Sequence, residues 1–304
     1  MAFAQQKTSN LITPLLSHLF YELSDSPDIS RLKQLLPWIG QVTLDRIHRG
    51  TLEPWVEHRR QEGAANATIN HGLKVVRRII NLASGEWVDE YGLTWVYGAP
   101  KIRLLPMLPK RQPYPLGWEE QDRLFQTLPA HLAQMALFAV NTGCRDGEIC
   151  NLRWDWEVKV PEMDTSVFIV PENFVKNGEE RLVVLNRIAE SVVNNRRGQS
   201  TDWVFTYRDK PITRMLNSAW LRARSSVDLK QVRVHDLKHT FGRRLRAAGV
   251  SFEDRQDLLG HRSGRITTHY SAAELSRLIE AANSVCNRGE QRPQLVVLRR
   301  NSFG

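Results

Sequence analysis

The residues best suited to chemistry stand close together in the second half of the chain. Val234-His235-Asp236-Leu237-Lys238-His239-Thr240-Phe241 is followed by Leu258-Leu259-Gly260-His261, and nine residues beyond that histidine comes Tyr270. Imidazoles and cations suit a phosphate oxyanion, and a tyrosine hydroxyl suits covalent attack on phosphorus. A phenol with a pKa of about 10 attacks only when its proton is removed beside positive charge. Upstream, Thr142-Gly143-Cys144-Arg145-Asp146-Gly147-Glu148 offers an arginine whose planar fork of donors matches two phosphate oxygens. Taken alone, these residues fit an ordinary surface Arg–Glu pair as well. Lys176 opens an Asn-Gly turn, Lys176-Asn177-Gly178-Glu179. A lysine there can reach a groove and act as general acid if its pKa is lowered, although most turn lysines are simply solvated. His235 and Lys238, three apart at a helix start, share a face. His235 and His239 have a zinc-compatible spacing, but Asp236 stands where the metalloprotease signature needs glutamate. No metal is expected, and His239 reads as a packing residue.

The elements that must position these groups are mostly helical. Leu11, Leu15, Leu16, Leu19, Phe20 and Leu23 predict an amphipathic helix over residues 9–23. Further helices are expected over 29–39, 52–63 and from Asn66, read as a cap, through Ile80. That last helix sets Ile69, Leu73, Val76, Ile79 and Ile80 against Asn70, His71, Lys74, Arg77 and Arg78. A solvated face is the plain reading of those cations; in company with the second half of the chain, a phosphate-tracking face is preferred. Between Gly98 and Gly117 five prolines alternate with Lys101, Arg103, Lys110 and Arg111, so neither helix nor central strand is expected, only an extended basic linker. Beyond it, helices are predicted to about Leu128, over 130–141 and as a short turn to Leu152. Strands follow at 154–160, 167–170 and 181–185, the last two joined by the Asn-Gly turn. Helices over 187–196, 213–225, 236–248, 252–259 and 272–285 complete the pattern.

With 304 residues, two domains can each bury a core. A formal net charge of +9 favours a polyanionic partner, nucleic acid first. No apolar run approaches the roughly 20 residues of a membrane span, so no membrane role is expected. Met1 to Asn10 lacks the apolar core of a signal peptide. Cys144, Cys150 and Cys286, an odd number without metal-ligand spacing, read as reduced packing thiols, and a cytoplasmic, nucleoid-associated location is expected.

In this order, the arginine signature, the hairpin lysine, His-x-x-Lys, Leu-Gly-His and the tyrosine resemble the tyrosine recombinase (phage integrase) family. The resemblance spans Thr142 to Ala272. It implies that Arg145 binds the scissile phosphate, that Lys176 protonates the leaving 5′ oxygen, that His235, Lys238 and His261 contact the phosphate, and that Tyr270 attacks it. Glu148 would orient the arginine or its neighbours, since a carboxylate facing phosphate is repulsive. His71, Lys74, Arg77, Arg78, Lys101, Arg103, Lys110 and Arg111 are the candidate DNA contacts. The family's signature has arginine where Lys238 stands, and lysine keeps the charge but loses the bidentate fork.

The expected protein is mainly α with a small antiparallel β-sheet in the catalytic domain, a two-domain DNA clamp. Its parts would be a helical core-binding domain (1–100), the basic Pro-rich linker (101–115), a catalytic domain (116–286) and a tail (287–304), whose Gln294 to Arg299 could dock on a neighbouring subunit. The resemblance implies cleavage and rejoining of double-stranded DNA through a 3′-phosphotyrosine, with no cofactor and no metal. It also implies a homo-tetramer on two recombination sites, with room for accessory DNA-bending or directionality factors. The amino terminus reads as too short for an added arm-binding domain, which favours a simpler recombinase, whether prophage integrase, mobile-element integrase or chromosome-resolving enzyme, with the mobile-element type preferred. Three alternatives stay open: a catalytically weakened DNA-binding regulator of the same fold, a type IB topoisomerase-like strand relaxer, and a structural chromatin protein in which the catalytic constellation is coincidence. If the lost fork at Lys238 matters, Lys238→Arg raises the DNA cleavage rate; an unchanged or lower rate refutes this reading of the departure.

Overall fold

The computed structural model describes residues 27–89, 91–107, 109, 111–261 and 271–286. The helix expected over 9–23, the tail from Asn287, Lys110 and Tyr270 lie outside the described residues. The chain divides into two compact units, residues 1–111 and 112–304.

In the first unit, α1 (Pro27–Ile39), α2 (Arg49–Gln61) and α3 (Asn66–Gly85) pack around one core. Leu32, Leu35, Leu52, Trp55, Ile69, Leu73, Val76 and Ile80 close it at helical spacing. Asn66 is the first helical residue of α3 rather than its cap; Ala65 holds the cap position, and the Asn66 amide donates to Pro106 O at 2.9 Å. Asn70, expected on the polar face, is buried, donating to Leu105 O at 2.9 Å and accepting from Leu105 N at 2.7 Å. The described residues of the Pro-rich stretch form neither helix nor strand, yet Ile102 and Leu105 are built into this core. Side-chain amides take over the backbone pairing that prolines deny to a helix or strand there.

The second unit opens with α4 (Trp118–Thr127), α5 (Ala130–Thr142) and the five-residue α6 (Asp146–Cys150). An antiparallel sheet follows in the order β1 (Glu157–Val160), β2 (Thr165–Val170), β3 (Arg181–Val184), with Phe168 facing Val183 and Val167 facing Val184. Residues 154–156, expected in strand, form a 3₁₀ turn instead. Alternate strand residues serve two cores: Phe168, Val170 and Val183 join α5 and α7 (Arg187–Asn194), while Val167, Leu182 and Val184 join the later helices. Of these later helices, α8 (Ser218–Ser226) sets Trp220 and Ala223 into the core of α5 and α7, and α9 (Val234–Ala247), α10 (Phe252–Leu259) and α11 (Ala272–Asn283) line the other. Before α8 the sequence reading missed a hairpin, β4 (Thr206–Tyr207) and β5 (Lys210–Pro211). Its turn residues Arg208 and Asp209 both have positive φ, as a two-residue hairpin needs, but they lack the Asn-Gly signal.

Asn70→Ala is expected to lower the first unit's stability by about 2–3 kcal/mol, because the N–H and C=O of Leu105 are left buried without partners. Urea denaturation checks this; a loss below the scatter of repeat titrations would show that the chain repairs the pairing elsewhere.

Candidate active site

The arginine turn comes from a helix that must stop abruptly. α5 ends at Thr142, and Gly143 follows at φ +64°. A Cβ at Gly143 would lie 2.8 Å from Phe241 Cδ1 and 2.9 Å from Leu259 Cδ2, so dihedral and packing both demand glycine. Arg145 then caps α6. Its N–H donates to Glu148 Oε2 and its Nη1 to Oε1, each at 2.7 Å. The carboxylate is 2% exposed and the guanidinium 18%, so Glu148 seats the arginine from inside.

Glu148 also pairs with Arg181, the first residue of β3, which is itself buried. Burial pushes the Glu148 carboxyl up, but Arg181, the two donors of Arg145 and Lys238 outweigh it and hold the pKa below the usual range. The seat is therefore an anion. The second guanidinium nitrogen of Arg181 donates to Thr142 O (3.3 Å), Gly143 O (3.1 Å) and Leu258 O (3.2 Å).

Lys238 projects from α9 into the same interior and is 4% exposed. Its Nζ donates to Gly143 O at 2.9 Å and to Leu259 O. Burial, then the charges of Arg181 and Arg145, bring its pKa down to about 6.

His235 lies on the outer face of α9, and His261 follows the left-handed Gly260 that ends α10. Partial burial lowers the pKa of both imidazoles, and Lys238 and Arg145 lower both further. Geometry brings both histidines to the Arg145 turn: Lys238, one helical turn after His235, bonds Gly143 O two residues before Arg145 and Leu259 O two residues before His261. His239, expected only to pack, stands edge-to-face with His235 at 4.8 Å and also acts on His261.

Arg145, Glu148, His235, Lys238 and His261 are thus brought together from three separated stretches. Lys176 is exposed in the loop between β2 and β3; the next residue, Asn177, donates to Gly260 O at 3.4 Å, which sets that loop beside the His261 turn. Tyr270 is outside the described residues. In the first unit His71, Lys74, Arg78, Lys101 and Arg103 are exposed, whereas Arg77 is half-buried and donates to Ile102 O. Arg111 is exposed, and Lys110 is not described. Sequence reasoning missed Arg181; the available signal was an arginine opening the otherwise apolar run Leu182-Val183-Val184-Leu185. Among the described residues no group of His, Cys, Asp and Glu could hold a metal ion.

Residues 118–277 match the phage integrase family. The integrase of Salmonella phage P22 is 28% identical over 243 residues, covering 73% of this chain, which spans 58% of that relative's length. A tyrosine recombinase XerC of Xanthomonas campestris pv. campestris is 24% identical over 305 residues, with 92% of this chain and 90% of that protein covered. Among solved structures, the Tn1549 transposon integrase in complex with circular intermediate DNA superposes with a TM-score of 0.61 at 15% identity, covering 88% of this chain and 98% of that one. A lambda integrase tetramer bound to a Holliday junction gives 0.56 at 18% identity, covering 81% and 72%. At such identities the structural likeness is one of fold.

The setting of Lys238 predicts a pH dependence of folding. Its amine titrates at about 6 in the folded chain instead of 10.5, so between those values the unfolded chain binds the additional proton. Stability should rise with pH from about 6 upward and fall as pH drops towards it, and Lys238→Met should flatten the slope. Denaturant midpoints between about pH 6 and 9 measure this; an equal slope in the variant would show that other groups cause it.

Proposed function

Because the chain belongs to the phage integrase family, we propose that it is a site-specific DNA recombinase working through a 3′-phosphotyrosine at Tyr270. The observation that supports this reading is Arg145, seated on the buried Glu148, on a turn that Lys238 of the His235 helix ties to the helix end preceding His261, with the Lys176 loop alongside. The Arg145 fork and the two imidazoles take the non-bridging oxygens of one phosphodiester. Tyr270 Oη attacks phosphorus, and its proton passes to an imidazole that the depressed pKa keeps neutral near pH 7. The P–O5′ bond breaks, and Lys176 supplies the proton to the leaving 5′ oxygen. A 5′ hydroxyl from a second DNA then attacks the phosphotyrosine and regenerates the phenol. Because the covalent link conserves the energy of the broken bond, the cycle consumes neither nucleotide nor metal.

Double-stranded DNA is the substrate, and the exposed basic residues of α3, His71, Lys74 and Arg78, contribute phosphate contacts in the first unit. Working as a tetramer on two sites lets two strands exchange in turn, a reading supported by the lambda integrase tetramer bound to a Holliday junction, and a prophage or mobile element is the setting. A second reading, a DNA-binding regulator with weakened catalysis, is favoured by one observation: Lys238 directs its amine to main-chain carbonyls.

Incubation with nicked duplexes carrying candidate sites tests the proposal. A covalent protein–DNA adduct is expected, and Tyr270→Phe should abolish it. An adduct surviving in Tyr270→Phe would overturn the assignment of the nucleophile, and tight site-specific binding without any adduct would favour the regulator.

A further inference from the structure

Two helices end facing one another beside the candidate site. The last carbonyls of α5 (Thr142, with Gly143 as cap) and of α10 (Leu258 and Leu259) have no partner further along their own helices, and each helix carries partial negative charge at that end. Left alone, two such ends repel and hydrate. Here one buried guanidinium lies between them: Arg181 Nη2 donates to Thr142 O, Gly143 O and Leu258 O, and Nη1 to Glu148. Lys238 bridges the same two ends through Gly143 O and Leu259 O.

From this we infer that Arg181 is a positioning residue for the proposed recombination reaction, holding the Arg145 turn and the His261 turn at a fixed separation. It touches no DNA. Arg145 begins two residues after one of the clamped ends, and His261 two residues after the other. The glycine of Leu-Gly-His fits this role. Gly260 sits at φ +57°, and a Cβ there would lie 2.4 Å from Arg181 Nε and 2.6 Å from its Cδ, so a larger residue would expel the guanidinium. Arg181 Nε is buried without a hydrogen-bond partner, which is costly, and a buried ion pair is weak grounds for stability by itself. What the arrangement does secure is geometry, because a planar fork with several fixed acceptors leaves the two turns little freedom.

The inference rests on the proposed reaction, so its test separates the two. Arg181→Lys keeps the charge and removes the fork; Gly260→Ala displaces the same guanidinium from the other side. Each variant, with Lys176→Ala beside it, is assayed for non-covalent DNA binding and for adduct formation on nicked DNA. The assay is repeated with a 5′-bridging phosphorothiolate, whose sulfur leaves without needing a proton. Both clamp variants should retain DNA affinity and form adduct about 100-fold more slowly, the scale of losing aligned phosphate donors. The phosphorothiolate should rescue Lys176→Ala and leave them slow. Native-rate cleavage by Arg181→Lys, or its rescue by the sulfur substrate, overturns the inference, and so does a loss of affinity that parallels the loss of rate. If the native chain forms no adduct on any DNA, the proposed reaction fails and hydrogen exchange decides the positioning. The amides of Gly143 and His261, bonded to Ala139 O and Gln256 O, should lose protection together in Arg181→Lys, and unchanged protection overturns it.

Discussion

The second unit is organised around the burial of positive charge between helix ends. An anionic carboxylate, Glu148, and the buried terminal carbonyls of two helices create a region of negative potential inside the protein. Arg181 and Lys238 occupy it, and the two basic side chains divide the work unequally. Arg181 meets the carboxylate and spreads its other donors over the carbonyls of both helix ends. Lys238 sits among the same carbonyls without a carboxylate of its own, and its amine yields its proton near pH 6. Arg145 is the outermost cation of the set, bonded to the other oxygen of Glu148 and partly open to solvent.

This arrangement explains residues whose types would otherwise seem arbitrary. Gly143 and Gly260 end their helices in the left-handed conformation, and at both positions the neighbours leave no room for a Cβ: Phe241 and Leu259 at one, Arg181 at the other. Asp236 and Thr240, buried on α9, receive the backbone N–H groups of Tyr114 and Leu116, so the helix bearing His235 and Lys238 is tied to the segment that enters the unit. The departure at Lys238 then has a structural meaning. A residue that in the family's signature would be arginine here serves main-chain acceptors, and its charge depends on pH.

The first unit illustrates a different constraint. Residues 99–107 cannot form a helix or a central strand because of their prolines, yet they are not left to solvent. Asn66 and Asn70 of α3 bond to their main chain, Arg77 adds a third contact at Ile102 O, and Ile102 and Leu105 fill the core. Of the α3 cations considered as DNA contacts, Arg77 is the one committed to this internal pairing. Lys74 and Arg78 are exposed.

Local pattern located most of the helices, because the longer ones bury one stripe at a period of 3.6, although the helix expected from Thr213 begins only at Ser218. It also fixed β2 and β3, whose apolar residues are buried on both faces of the sheet. The chemistry-bearing positions Arg145, His235, Lys238 and His261 were legible as residue types at particular spacings. That they share one site depends on Coulomb neighbours and main-chain carbonyls more than 20 residues away along the chain, which no local window contains. Tertiary structure alone decided that Asn70 faces inward, that residues 208–209 turn a hairpin and that residues 154–156 wind into 3₁₀. The same holds for Arg181, whose meaning comes from two helix ends that only folding brings face to face.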